Sequence, residues 1–390
     1  MTKTDIIITA FRVWGSCLYQ TTSLSAIAKT LGVSKAALYR HFKSKQALIE
    51  AMHERFFDDF AAFITERCPK PVSEDEGEQF SAMLRIGAEY YVRNREAFIF
   101  SLIFLYSNQR LSYMIRSLQE RGLDMELFRR AVEAEEHYPP AAQLVMATLT
   151  FCVAYFHRYA CPGEAAPADE AVRRFIDRVE RKVFYGLGIP QVLRETDFEV
   201  LESRFAAQAK EEAGLDKDDK KCLLKAIAAV VAEKGPWKAS MGMVAERSGL
   251  SKSALYFHFK NREDMIQHIF TREFKDLLQY AQGASTLSSR PLARLYLVIL
   301  ATVNYLRIHP EILKALDWMR TRRLGINSKP PEVLQLFQGI CLSPTILITE
   351  QTAHLILFLI INTLMRCPEG MDFSELPNRS VRILYRFIIQ

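Results

Sequence analysis

Ser34, Lys35, Tyr39, Arg40, His41 and Lys43 stand together in SKAALYRHFKSK, residues 34–45, and SKSALYFHFKNR, residues 251–262, repeats most of them. Hydroxyl, phenol, imidazole and ammonium groups all donate hydrogen bonds to phosphate oxygens, and arginine also fits a guanine edge. A helix over this stretch that buries Ala37, Leu38 and Phe42 leaves Lys35, Ala36, Tyr39 and Arg40 on its other face, with His41 and Lys43 at its end. The second copy buries Ala254, Leu255 and Phe259 and presents Lys252, Ser253, Tyr256 and Phe257, followed by His258 and Lys260. Small Ala36 or Ser253 lets such a helix come close to base edges. Ser44 beside Lys45, and Asn261 beside Arg262, then open a further helix whose free N–H groups and dipole favour a phosphate. Arg40 and Phe257 are the pair that differ most: arginine suits phosphate or guanine, whereas phenylalanine meets a thymine methyl or packs.

The elements that must position these groups are duplicated too. At an offset of 217, residues 23–49 match 240–266 without a gap, with 12 identities in 27 positions. Upstream, Ile7, Ala10, Phe11 and Trp14 have the spacing of a one-faced helix, and the offset gives Leu224, Ile227, Ala228 and Val231. Ser23 and Ser240 are N-caps for a second helix, which carries Leu24, Ile27, Ala28 and Leu31 or Met241, Val244 and Ala245. Gly32 and Gly249 end it in the left-handed conformation, and the next residue, Val33 or Leu250, is expected to drop into the core. Ser34 or Ser251 then caps the third helix, giving a helix-turn-helix in each copy.

On these residues, TSLSAIAKTLGVSKAALYRHFKSKQALI and ASMGMVAERSGLSKSALYFHFKNREDMI each resemble the DNA-binding segment of TetR-type transcriptional regulators. The resemblance covers about 45 residues in each copy; beyond it each half shares only helical, apolar character. It implies an all-α chain of two helix-turn-helix heads, each followed by a helical ligand and dimerisation domain. The expected division is a head at 1–48, a body at 49–192, a charged helical connector at 193–217, a second head at 218–265 and a second body at 266–390. Duplication departs from the family's one head per chain, and it implies that one chain folds back as a pseudo-dimer, with a homodimer of fused chains as the competing assembly.

The bodies echo one another faintly. EYYVRNREAFIFSLI aligns with VNYLRIHPEILKALD when Tyr91 is set on Tyr305 and Arg93 on Arg307, and each half closes with an apolar helix followed by an amphipathic one. Tyr90, Phe98, Phe104, Tyr106 and Tyr113, or Tyr305, Trp318 and Met319, are candidates to line an effector pocket, although aromatic residues at helical spacing equally make a core. His157 and His354 lie in the penultimate helices without a second ligand at metal spacing, so they read as packed histidines rather than metal ligands.

Composition sets outer bounds. The 390 residues are 49% hydrophobic and carry a formal charge of +6, which is compatible with a nucleic-acid partner without demanding one. Seven cysteines without a C-x-x-C read as reduced, packed thiols of a cytoplasmic protein. LILFLIINTLM, the most apolar stretch, is too short to span a bilayer, and the N-terminal IIITAF lacks the marks of a secretory signal. No P-loop, G-x-S-x-G or H-E-x-x-H is present, and no cofactor is implied. The expectation is a non-enzymatic repressor that binds an imperfect palindrome in double-stranded DNA, is released by a small-molecule effector and does not meet a membrane. The alternatives are a ligand sensor or a protein-interaction adaptor of the same fold with weak DNA binding.

Overall fold

The computed structural model describes residues 2–16, 24–68, 75–108, 111–133, 138–162, 166–213, 220–235, 238–314, 316, 332–344, 346–367 and 376–390. Every regular element among the described residues is helical. The chain divides into two compact units, one built mainly of residues 1–136 and 140–184 and the other of 185–321 and 327–390.

In the first unit α1 (Lys3–Ser16), α2 (Leu24–Thr30) and α3 (Lys35–His41) form the head, and α4 (Lys45–Arg67) runs on from it. The body adds α5 (Glu76–Arg93), α6 (Arg95–Asn108), α7 (Leu111–Gln119), α8 (Glu126–Glu133), α9 (Ala141–Tyr155) with a π-turn at Phe156–Ala160, and α10 (Asp169–Tyr185). The stripe that α1 buries is Ile6, Ala10 and Val13, one residue round from the expected face, with Ile7 and Phe11 half-buried. The shift has a cause in packing: Phe11 turns toward α6 and meets Phe100 edge-on at 4.8 Å. Along α4 a ladder of Phe56, Phe57 and Phe60 is buried, and Phe60 lies 4.6 Å from the ring of Tyr90 on α5.

The second unit repeats the head as α12 (Lys220–Lys234), α13 (Met241–Ser248) and α14 (Lys252–His258), with α15 (Arg262–Ser285) running on into the body. Ahead of that head stands α11 (Glu195–Ala213), and behind it come α16 (Pro291–Ile308), a 3₁₀ turn at Val333–Phe337, α17 (Glu350–Met365) and α18 (Asn378–Ile389). The segment expected to be a connector is instead part of this unit's core. Phe198 of α11 is fully buried, with its ring 4.7 Å from Tyr296 and 5.7 Å from Tyr385. Glu202 accepts hydrogen bonds from the Tyr296 hydroxyl at 2.6 Å and from Arg382 Nε and Nη2, which tie the helical segment to α16 and α18. Charge on the outer face of α11 masked its apolar stripe of Phe198, Leu201 and Phe205.

Among the described residues α16 alone has the length and apolarity to cross a membrane, yet most of it, from Ala293 to Leu306, is buried inside the protein. It is the core rod of the second unit, packed against α15, α11, α17 and α18.

The two bodies solve the same junction differently. The end of α5 is closed by Asn94 N–H on the Tyr90 carbonyl and the end of α16 by His309 N–H on the Tyr305 carbonyl, which pairs Tyr305 with Tyr90, one residue from the alignment on Tyr91. At the 217 offset Phe56 becomes Glu273. Where the first unit has an aromatic cluster, the second has a partly buried carboxylate that accepts from the Tyr305 hydroxyl at 2.9 Å. Burial holds the Glu273 carboxyl above its usual value, and the Tyr305 hydrogen bond only partly offsets this. A carboxyl raised on folding contributes stability that is full below its unfolded pKa and is lost as pH rises through the folded value. Glu273→Gln should therefore raise the thermal midpoint at about pH 8 and leave it unchanged near pH 4, where wild type is already neutral. Thermal unfolding at both pH values checks this, and an equal shift at both would assign the effect to packing instead of charge.

Candidate nucleic-acid interface

Each third helix has seven residues, too short to be stable alone, so its position depends on its ends and on one buried pin. Ser34 Oγ accepts the Ala37 N–H at 3.1 Å, and Ser251 Oγ accepts the Ala254 N–H at 3.1 Å. Leu38 and Leu255 are fully buried, and Phe42 and Phe259 close the helices from beneath. Gly32 (φ 65°) and Gly249 (φ 70°) make the left-handed turn that precedes each, and Ser240 caps α13 through the Met243 N–H; Ser23 lies outside the described residues. The turn is closed by the N–H of Val33 on the Ala28 carbonyl and of Leu250 on Ala245. One expectation fails here: Leu250 remains 39% exposed and Val33 only half-buried, because this hydrogen bond directs the backbone across the turn without turning the side chain inward.

The residues expected on the outer face are there. Ser34, Lys35, Ala36, Tyr39, Arg40, Lys43 and Ser44 are exposed, with His41 and Lys45 half-buried; Ser251, Lys252, Ser253, Tyr256, Phe257, His258, Lys260 and Asn261 are exposed, with Arg262 half-buried. The Lys35 ammonium sits 5.7 Å from the Tyr39 ring centre, a cation–π approach across one turn of α3. Desolvation makes Lys45 easier to deprotonate than a free lysine.

The fourth helices begin differently. Ser44 Oγ caps α4 through the Ala47 N–H at 3.0 Å, and the first turn has no acidic residue. Asn261 Oδ1 caps α15 through the Asp264 N–H at 2.8 Å, but that first turn carries Glu263 and Asp264. Arg262 Nε donates to Glu263 at 3.0 Å, and the Lys260 N–H donates to Asp264 at 2.9 Å. The start of α15 therefore has its arginine engaged and two carboxylates alongside, whereas the start of α4 has neither. Residues 6–52 hold six basic and one acidic residue, whereas 223–269 hold seven basic and four acidic.

The effector candidates scatter. Tyr90 and Phe98 are buried core rings, with Phe98 set between Tyr91 and His157 at 5.7 Å from each. Tyr113 is half-buried against Phe57, and Tyr305 is engaged with Glu273. The side chains of Phe104 and Tyr106, and Trp318 and Met319 altogether, lie outside the described residues. A cleft of about 250 Å³ in the second unit, lined by Glu202, Phe205, Leu300, Val303, Asn304 and Arg307, contains none of the candidates. Its α11 wall was hidden in the sequence by the connector-like charge. His157 Nε2 lies 3.0 Å from the Tyr91 carbonyl, and burial lowers its pKa, as for a core histidine. Cys152 is buried, which pushes its thiol up to about 11 and leaves it unreactive.

The pattern of the tetR family of bacterial regulatory proteins matches residues 6–52 and again residues 223–269. Among solved structures, a TetR family transcriptional regulator, PfmR from Thermus thermophilus, is similar over 45% of this chain and 97% of its own, at 23% identity and a TM-score of 0.32. No curated protein matches the chain.

A Cβ added at Gly249 would meet nothing within 4 Å, so the cost of Gly249→Ala is purely the left-handed backbone. It should destabilise the second head by about 1–2 kcal/mol. Amide exchange in α13 and α14 should then quicken more than in α16, and uniform quickening would mean the head does not open separately.

Proposed function

We propose that this tandem TetR-type chain, a DNA-binding transcriptional regulator, is a repressor whose two heads grip one imperfect palindrome and are released by a small-molecule effector. The reading is carried by the second occurrence of the same capped, outward-facing helix in one chain. The proposed phosphate contacts are Ser34, Lys35, Tyr39, His41, Lys43, Ser44 and Lys45 in the first head, and Ser251, Lys252, Tyr256, His258, Lys260, Asn261 and Arg262 in the second. Ala36 with Arg40, and Ser253 with Phe257, face the base edges.

Release follows from linkage: an effector that prefers one body conformation lowers operator affinity by its differential binding to the two states. Helix continuity supports this reading. α4 and α15 each run from a head into a body, and α1 packs directly on α6. The cleft beside α11 is smaller than the roughly 300–1,000 Å³ of typical small-molecule sites, so the effector pocket is left unassigned within the bodies.

Duplication also supports assembly within one chain, since tethering turns the second association into an intramolecular event with an effective concentration that reaches millimolar. In this reading the protein is cytoplasmic, non-enzymatic and active as a pseudo-dimer.

The test is electrostatic. Lys43→Ala should weaken binding to every duplex and lower the slope of log K against log salt by about 0.9, one phosphate's worth. Lys260→Ala should do the same, and Arg40→Ala should also alter sequence preference. Titrations at several salt concentrations measure this; an unchanged slope in both lysine variants would remove α3 and α14 from the DNA.

A further inference from the structure

Phe257 is 88% exposed, more than any other large apolar side chain among the described residues. Its position on α14 is specific. A helix turns about 100° per residue, so the residues two before and two after a buried pin form the ridge farthest from the core. With Leu255 as the pin, that ridge is Ser253 and Phe257; in the first head, with Leu38 as the pin, it is Ala36 and Arg40. The Phe257 ring meets the His258 ring edge-on at 5.6 Å and otherwise faces outward. Exposed Lys252 and Tyr256 share α14 with it, exposed Lys260 follows the helix, and α14 contains no acidic residue. An exposed apolar ring on a helix with basic residues and no carboxylate suits a surface that is anionic at its edges and apolar at one point.

The major groove of DNA is such a surface. Its phosphate walls are anionic, and the apolar group that its floor presents is the C5-methyl of thymine. The charge difference between the heads points the same way, since the second head has four acidic residues where the first has one and its Arg262 is engaged by Glu263. With a weaker hold on phosphate, the second head has more need of a contact in the groove itself.

We infer that Phe257 reads a thymine methyl in the half-site bound by the second head, while Arg40 at the same position reads guanine or phosphate in the other. The operator is then asymmetric in a defined way, with a methyl-dependent half and a methyl-independent half. This rests on the DNA-binding reading above and adds to it the chemistry of one base pair.

The experiment uses the full chain and duplexes selected from a random pool. In the best binder each thymine is replaced singly by deoxyuridine, which removes the methyl and keeps the pairing edge. One thymine in one half-site should then weaken binding about four-fold, the worth of one methyl-sized apolar contact. That loss should vanish in Phe257→Ala, persist in Phe257→Leu, and give way in Phe257→Arg to a half-site resembling the other one. The thermal midpoints of all three should match wild type, because the side chain is exposed. If no thymine shows a loss that depends on residue 257, the inference is overturned while sequence-selective binding stands. If the pool yields no preferred sequence at all, the DNA-binding reading itself falls, and this inference with it.

Discussion

A seven-residue helix has little stability of its own, and both outward faces of this protein are carried on one. What fixes each is a single buried leucine, Leu38 or Leu255, held between a left-handed glycine turn before it and a phenylalanine after it. Everything the heads can do depends on that constraint. The leucine sets which residues point away, so it decides that Arg40 or Phe257 lies on the outer ridge and that the tyrosine, histidine and lysine flank it. The serine caps satisfy backbone N–H groups that would otherwise be left open, which fixes the start of each helix.

From these pins the architecture extends by continuity. The fourth helices are long, 23 and 24 residues, and each begins at the capped turn after a third helix and runs on into a body. The bodies are built of different materials at this junction. The first uses packed aromatic rings around Phe56, and the second uses the Glu273–Tyr305 hydrogen bond around the rod of α16. The rings around Phe56 carry no charge at this position, whereas burial raises the pKa of the Glu273 carboxyl, so this junction titrates in the second unit.

The heads were legible in the sequence because their information is local. Glycine, serine and leucine at fixed spacing dictate a turn, a cap and a pin whatever surrounds them, and the repetition at one offset removed any ambiguity of register. The local misses were small: Val33 and Leu250 stay out of the core at the turn, and the buried stripe of α1 lies one residue round from the expected face. The bodies were much less legible, because their information is tertiary. Charged residues on one face of α11 disguised a helix whose other face is pinned by Phe198 and Glu202, and aromatic residues such as Tyr90 and Phe98 looked like pocket lining until their ring partners were known. The substitution of Glu273 for a buried phenylalanine position carries no signal in a single sequence, since only the hydroxyl of Tyr305, on α16 and distant in the chain, makes sense of it.

The central claim is that one chain supplies both heads to one operator. The most direct measurement is the mass of the protein–operator complex by light scattering at low micromolar concentration, using a duplex that contains both half-sites. The account predicts one chain of 44.8 kDa per duplex, with full affinity reached at that stoichiometry. A complex holding two chains per duplex, which loses DNA binding when the chains dissociate, would contradict it.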